Sequence, residues 1–152
     1  LLAIALRMLG SKEEAEDAVQ NALASAWIAR TRLDPARGLS PFLMTITLNK
    51  CRDRLRRRKA AAFLGYGQEH EITIVGDPAP TPDVETGDRQ ALAATYAEIR
   101  KLPVRLQEAL VLVAIDGRSQ SEAASLLETT EKAIEARVYR ARKILRKNLQ
   151  IN

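Results

Sequence analysis

One stretch decides what kind of fold this chain can reach. "GYGQEHEITIVGDPAPTPDVETGD", Gly65 to Asp88, holds three Pro and four Gly and is acidic, whereas the sequence on either side is dominated by Ala, Leu, Glu, Arg and Lys. Pro removes a backbone donor and Gly adds conformational freedom, so such a stretch does not sustain a helix. "EITIV" within it could form a strand, but one short strand has nothing to pair with. The chain is therefore cut into two helix-forming blocks, and sheet architectures are excluded. We expect an all-α fold: a three-helix bundle over 1–62, a flexible acidic linker over 63–88, and a four-helix domain over 89–152.

The boundaries inside each block follow from caps and apolar spacing. Leu2, Leu6 and Leu9 predict a first helix closed by Gly10, a residue that tolerates a left-handed C-terminus. Ser11 with Glu14 forms the pattern of a capping box for the second helix, whose stripe is Ala15, Ala18, Val19, Ala22, Leu23, Ala26 and Trp27. "TRLDPARGLSP" breaks the chain, and Ser40-Pro41 reads as the cap and first turn of a third helix with Met44, Leu48, Cys51 and Leu55 inward. In the second block, "RQALAATYAEIRKL" stops before Pro103. "PVRLQEALVLVAIDG" then turns Leu106, Leu110 and Val113 inward, and Ser119 with Glu122 makes a second capping box. Ile134, Val138, Ala141, Leu145 and Leu149 give the last helix its buried stripe.

Composition narrows the chemistry. The chain has one Cys and one His, too few for a structural zinc site of about four such ligands. A disulfide within the chain is impossible, in keeping with a cytoplasmic setting. Cys51, on an apolar stripe, reads as a small buried hydrophobe. No nucleophile, base or metal cluster is apparent, and His70 falls in the linker, so we expect neither catalysis nor a cofactor. No apolar run approaches the roughly 20 residues of a membrane span. "LLAIALRMLG" reads as an amphipathic helix rather than a leader, so no direct membrane insertion is expected.

Charge is more informative than its total of +5. Residues 1–60 carry a net +6, 61–90 a net −5 and 91–152 a net +4. Two basic blocks flanking an acidic connector suggest two surfaces for one polyanion. In "TLNKCRDRLRRRK", Thr47 to Lys59, seven of thirteen residues are basic, and Asn49, Arg52 and Arg56 share another side of the helix from the apolar stripe. In the second block a short helix, a turn at Glu128-Thr129-Thr130 and a longer basic helix form the helix-turn-helix pattern, which places the second helix in the major groove. Facing away from its core stripe are Lys132, Glu135, Ala136, Tyr139, Arg140 and Lys143, side chains suited to base edges and phosphates. By residues alone, a stand-alone helix-turn-helix regulator remains an alternative.

"AEDAVQNALASAW", "FLMTITLNKCRDRLRRR" and "LPVRLQEALVLVAIDGRSQSEAASLLETTEKAIEARVYRARKILR" occur in that order and together resemble the extracytoplasmic-function sigma factors of bacterial RNA polymerase. The resemblance covers nearly the whole chain apart from the linker. It implies a non-catalytic subunit that binds core polymerase, directs promoter-specific initiation and is controlled by an anti-sigma factor. It implies that Glu16, Asp17, Gln20 and Asn21 dock on the clamp of the largest polymerase subunit, with the flap region as a further contact. Asn49 would help hold a base flipped from the −10 element, beside the loop Leu33 to Ser40, and Arg52, Arg56, Arg57 and Arg58 would hold phosphates there. Glu135, Ala136, Tyr139 and Arg140 would read the −35 element. Arg137 and Arg142 also match, beside the buried stripe, where a structural role is open to them. The family's usual Gly in the turn is Glu128 here, so a slightly different turn is expected.

Overall fold

The computed structural model describes residues 1–65 and 86–150. Helices α1 (Leu2–Leu9), α2 (Lys12–Ile28) and α3 (Leu39–Phe63) form the first block, with a 3-10 turn, Arg30–Arg32, between α2 and α3. The second block comprises α4 (Thr86–Lys101), α5 (Val104–Leu110), a π-helical turn (Val111–Ile115), α6 (Gln120–Leu126) and α7 (Glu131–Asn148). Among the described residues all regular structure is helical, in the expected three-and-four arrangement. Most of the span expected to be a linker, residues 66–85, lies outside the described residues, and "EITIV" and His70 with it. Helix α3 continues through Phe63 and α4 begins at Thr86, three residues before the expected Arg89. No helix among the described residues is long and apolar enough to cross a membrane.

The helix ends follow their caps. Gly10 closes α1 at φ +76° and donates its N–H to Leu6 O at 2.8 Å. Ser11 Oγ accepts the Glu14 N–H at 3.3 Å. Helix α3 starts earlier than its Ser-Pro signal suggests: Gly38, at φ +79°, precedes Leu39, and Ser40 and Pro41 lie in the first turn. Pro fits there because the first turn's N–H groups have no intrahelical acceptor. Ser119 makes the full reciprocal box, accepting the Glu122 N–H at 3.1 Å and donating its own N–H to Glu122 Oε2 at 2.9 Å. That backbone hydrogen bond holds the Glu122 carboxyl below its ordinary pKa.

The predicted stripe of α2 divides in two. Ala15, Ala18, Ala22 and Ala26 are buried, but Leu23 and Trp27 are exposed, Trp27 by 70%. Four alanines spaced three and four apart give a face narrow enough for α3 to lie close. Met44, Leu48, Cys51 and Leu55 of α3 are buried, while the α2 positions one residue further round are left on the flank. The inward register of α5 also differs from expectation. Leu110 is buried, but Leu106 and Val113 are only partly so, and Gln107, Glu108, Ala109, Val111 and Leu112 take the interior. Helix α5 packs against α7 on one side and α3 on the other, so its burial is not a single stripe. The wider π turn after it shifts the phase again.

The two blocks share one core, running from Ile4 and Met8 through Leu48 and Leu55 to Leu112 and Ile134. Each such side chain contributes roughly 1.5–3 kcal/mol by leaving water. The C-terminal end of α1 lies at the seam. A helix's last carbonyls have no intrahelical donor; here Gln107 Nε2 of α5 donates to Met8 O at 2.8 Å and Arg58 Nη1 of α3 to Leu9 O at 3.3 Å. The same end draws cations, as a helix C-terminus does. Arg100 lies against Gly10 there, while Lys59 of α3 donates to Leu102 O just past the end of α4.

Candidate nucleic-acid and polymerase interfaces

Helix α3 carries the first set of expected contacts, and its geometry separates them. Asn49, Arg56 and Arg57 are exposed. Arg52 is partly buried: its Nη1 donates to Asn49 Oδ1 at 2.9 Å and its Nε to Glu108 Oε2 at 2.8 Å. Arg58 is partly buried too, with Nη1 2.9 Å from Glu14 Oε2 as well as on Leu9 O. Arg58 thus ties α3 to both α1 and α2, as Arg52 ties it to α5, and Asn49, Arg56 and Arg57 form the exposed set. Lys59 is partly buried; burial first, and the neighbouring Arg58 second, hold its pKa below the ordinary value.

Glu108 is the residue at this site that sequence reasoning missed. Its side chain is only 3% exposed, yet it is a carboxylate. A buried charge needs cations, and Glu108 takes two: Arg52 from α3, and Arg137 from α7 at 3.7 Å. An acid inside the apolar run "LQEALVLVAI" was a legible signal that something positive must face it. Its first-block partner, 56 residues earlier, was not. Arg137 therefore has the structural role that its place beside the buried stripe allowed.

The second set lies on α7. Thr130 caps the helix, its Oγ1 accepting the Ala133 N–H at 3.2 Å. The preceding turn keeps a left-handed residue, Glu128 at φ +51°, where a glycine would be unstrained. Ile134, Val138 and Ala141 are buried. Lys132, Glu135, Tyr139, Arg140 and Lys143 are exposed, and Ala136 is half-buried. The six therefore form an outward face, with Ala136 at its inner edge.

The third set lies on α2. Glu16, Asp17, Gln20 and Asn21 are all exposed. Asp17 pairs with Arg54 of α3, and Asn21 Nδ2 donates to Asp17 O at 2.8 Å. Gln20, Leu23 and Trp27 follow at spacings of three and four, so the polar strip continues into an exposed apolar one. The Arg30 guanidinium stacks on the Trp27 ring, 4.7 Å from its centroid, which steadies the indole at the surface. Leu23 and Trp27 were read as core from the sequence. An indole beside a run of alanines that could pack without it was the available hint.

Comparison with known proteins gives consistent results. Residues 1–61 match the family model described as Sigma-70 region 2, and residues 92–145 that described as Sigma-70, region 4. The sigma factor CnrH of Cupriavidus metallidurans is 38% identical, over 93% of this chain and 76% of that protein. The ECF sigma factor SigW of Bacillus subtilis is 30% identical, over 95% and 80%. The structure of CnrH with the cytosolic domain of CnrY is similar over 99% of this chain and 81% of that one, with a TM-score of 0.65 and 33% identity. The fold also matches RpoE in complex with the anti-sigma factor NepR from Bartonella quintana, with a TM-score of 0.70 over 99% of this chain and 90% of that one, at 24% identity.

Proposed function

The chain belongs to the extracytoplasmic-function sigma factors of bacterial RNA polymerase, and we propose that its three exposed faces divide the work of initiation. As such a factor it directs promoter-specific transcription. Residues 1–62 serve as region 2, 89–152 as region 4, and 63–88 as the tether between them. On α3, Asn49 takes the extruded −10 base while Arg52, Arg56 and Arg57 hold phosphates. Extrusion costs a few kcal/mol, which the hydrogen bonds of such a pocket offset. Arg58, held by Glu14 and Leu9 O, supports this surface rather than touching DNA. On α7, Lys132, Tyr139, Arg140 and Lys143 meet the −35 element, and Glu135 accepts from a cytosine edge beside Ala136. On α2, Glu16, Asp17, Gln20 and Asn21, extended by Leu23 and Trp27, dock on the polymerase clamp, and region 4 meets the flap. An anti-sigma factor restrains the chain, a reading supported by the likeness to CnrH and by RpoE, whose structure is that of a complex with NepR.

The observation that carries this reading is the α7 face: a capped helix-turn-helix that presents Lys132, Tyr139, Arg140 and Lys143 outward and exposed. In vitro transcription with purified core polymerase, followed by sequencing of the start sites, tests it. Initiation confined to a few promoters is the expected result. Binding to duplex DNA as a dimer with no effect on core polymerase, the behaviour of a stand-alone regulator, would overturn it.

A further inference from the structure

Two carboxylates of the second block each hold one arginine from the first block and one from their own. Glu108 takes Arg52 at 2.8 Å and Arg137 at 3.7 Å. Asp116, just past the π turn, takes Arg7 of α1 at 2.8 Å and Arg118 at 2.9 Å. Both are shielded, with 3% and 18% of their side chains exposed. Of the four arginines, Arg52 is the one assigned above to promoter DNA, and its other hydrogen bond goes to Asn49.

We propose that Glu108 stands in for a DNA phosphate on Arg52, so that these two carboxylate clasps hold the chain in a self-masked form with which DNA must compete. The proposal rests on the assignment of α3 to the promoter. A guanidinium presents a planar fork that carboxylate and phosphate oxygens fit equally well. Arg52 cannot face both at once, and its tie to Asn49 occupies the neighbouring side chain as well. The blocks must therefore part before the α3 face is complete.

The arrangement suits a reversible switch. Breaking a buried ion pair is costly when it strands a charge. Here each carboxylate keeps an arginine of its own block, Arg137 or Arg118, when the blocks separate. Opening therefore leaves neither acid uncompensated. Closure also carries an opposing term, because it brings Arg100 of α4 against Gly10 at the C-terminal end of α1, where Arg58 already donates to Leu9 O. Burial, and Arg58 after it, holds both Lys59 and Arg100 below their ordinary pKa values. Two acid clasps are thus set against the crowding of Arg100 and Lys59 with Arg58.

Double electron–electron resonance on the full chain, spin-labelled at the exposed positions Ala24→Cys and Lys147→Cys, reads the separation of the blocks. Cys51 is buried and its thiol is pushed up to about 12, so it stays unlabelled. The test variants are Glu108→Gln and Arg7→Gln. Both should keep their helical circular dichroism, shift the distance distribution outward, and bind a fluorescein-labelled duplex oligonucleotide about three- to tenfold more tightly, as expected when the competent population rises. Arg7→Gln is decisive because it removes a positive charge; a gain in DNA affinity there cannot come from added charge. A folded Arg7→Gln that keeps the native distance, or that opens without binding DNA more tightly, overturns the proposal. Should Glu108→Gln lose its helicity, Arg7→Gln alone decides. Transcription assays with core polymerase run alongside separate this from the functional reading. Silence of every protein, the native chain included, would count against the sigma assignment and leave the distance and DNA-binding contrasts standing.

Discussion

Arg100 lays its guanidinium across Gly10, so that a Cβ built on the glycine would stand 3.1 Å from Cδ and Cζ and overlap Nη1 outright. The glycine is also in the left-handed region, at φ +76°. Gly10→Ala therefore meets two penalties, backbone strain and displacement of a side chain from the seam. Gly117, at φ +71° with nothing within 4 Å of its would-be Cβ, meets only the first. Gly117→Ala should cost about 1 kcal/mol, and Gly10→Ala about 2 kcal/mol or more. Urea unfolding of both variants measures the difference. Equal losses would mean that Arg100 moves aside freely.

The turn before α7 offers the opposite change. Glu128 holds φ +51°, a conformation costing an L-residue about 1–2 kcal/mol. Glu128→Gly removes that strain, and we expect a gain of roughly 1 kcal/mol, less the added entropy of the unfolded chain. Glu128→Ala should give no gain, since alanine keeps the Cβ. A thermal melt ranking alanine with glycine would refute this account and point to the carboxylate instead.

Much of this architecture was legible in advance, and the failures share a cause. Caps at Ser119 and the stop at Gly10 are local, settled within a few residues, and they were placed correctly. The outward residues of α7 follow from a 3.6-residue period against Ile134 and Val138. Leu23 and Trp27 were misplaced, and the depth of Leu106 overstated, because burial there depends on what a helix packs against. Helix α5 is covered from two sides, and α2 is approached through alanines. Glu108, and the ties Arg58 makes within the first block, were missed for the same reason. Their partners, Arg52 and Leu9, lie 56 and 49 residues away, and no periodicity reports such a pairing.

Cys51 makes stability depend on pH with a definite sign. Burial, opposed in part by Arg54, pushes its thiol from an ordinary 9.0 up to about 12. The unfolded chain therefore releases this proton first, and between those values the folded state holds a proton that the unfolded state has lost. Stability falls as pH rises through that window. Burial also lowers the Lys59 pKa, but Lys59 is present in native protein and variant alike. The informative quantity is the gap in urea midpoint between native protein and Cys51→Ala, followed upward from pH 8. The native protein should lose ground steadily above about 9; a constant gap would show that the thiol ionises as freely folded as unfolded.

The arginines of α3 should divide by geometry rather than by sequence position. Arg56 and Arg57 are exposed, whereas Arg58 is spent on Glu14 and Leu9 O. If the first two neutralise phosphates, replacing both with Ala should flatten the dependence of log K on log salt by about 1.5, at 0.7–0.9 per contact. Folding stability should hardly change, because surface substitutions of this kind stay within about 0.5 kcal/mol. Arg58→Ala should do the reverse. It removes a hydrogen-bonded charge between three helices and should cost about 2 kcal/mol in unfolding, while the salt slope of polymerase–promoter complexes stays near the native value. Anisotropy titrations over a range of potassium chloride concentrations, paired with urea unfolding of the same preparations, read both quantities. An Arg58→Ala variant of native stability with a flattened slope would place that side chain on DNA after all.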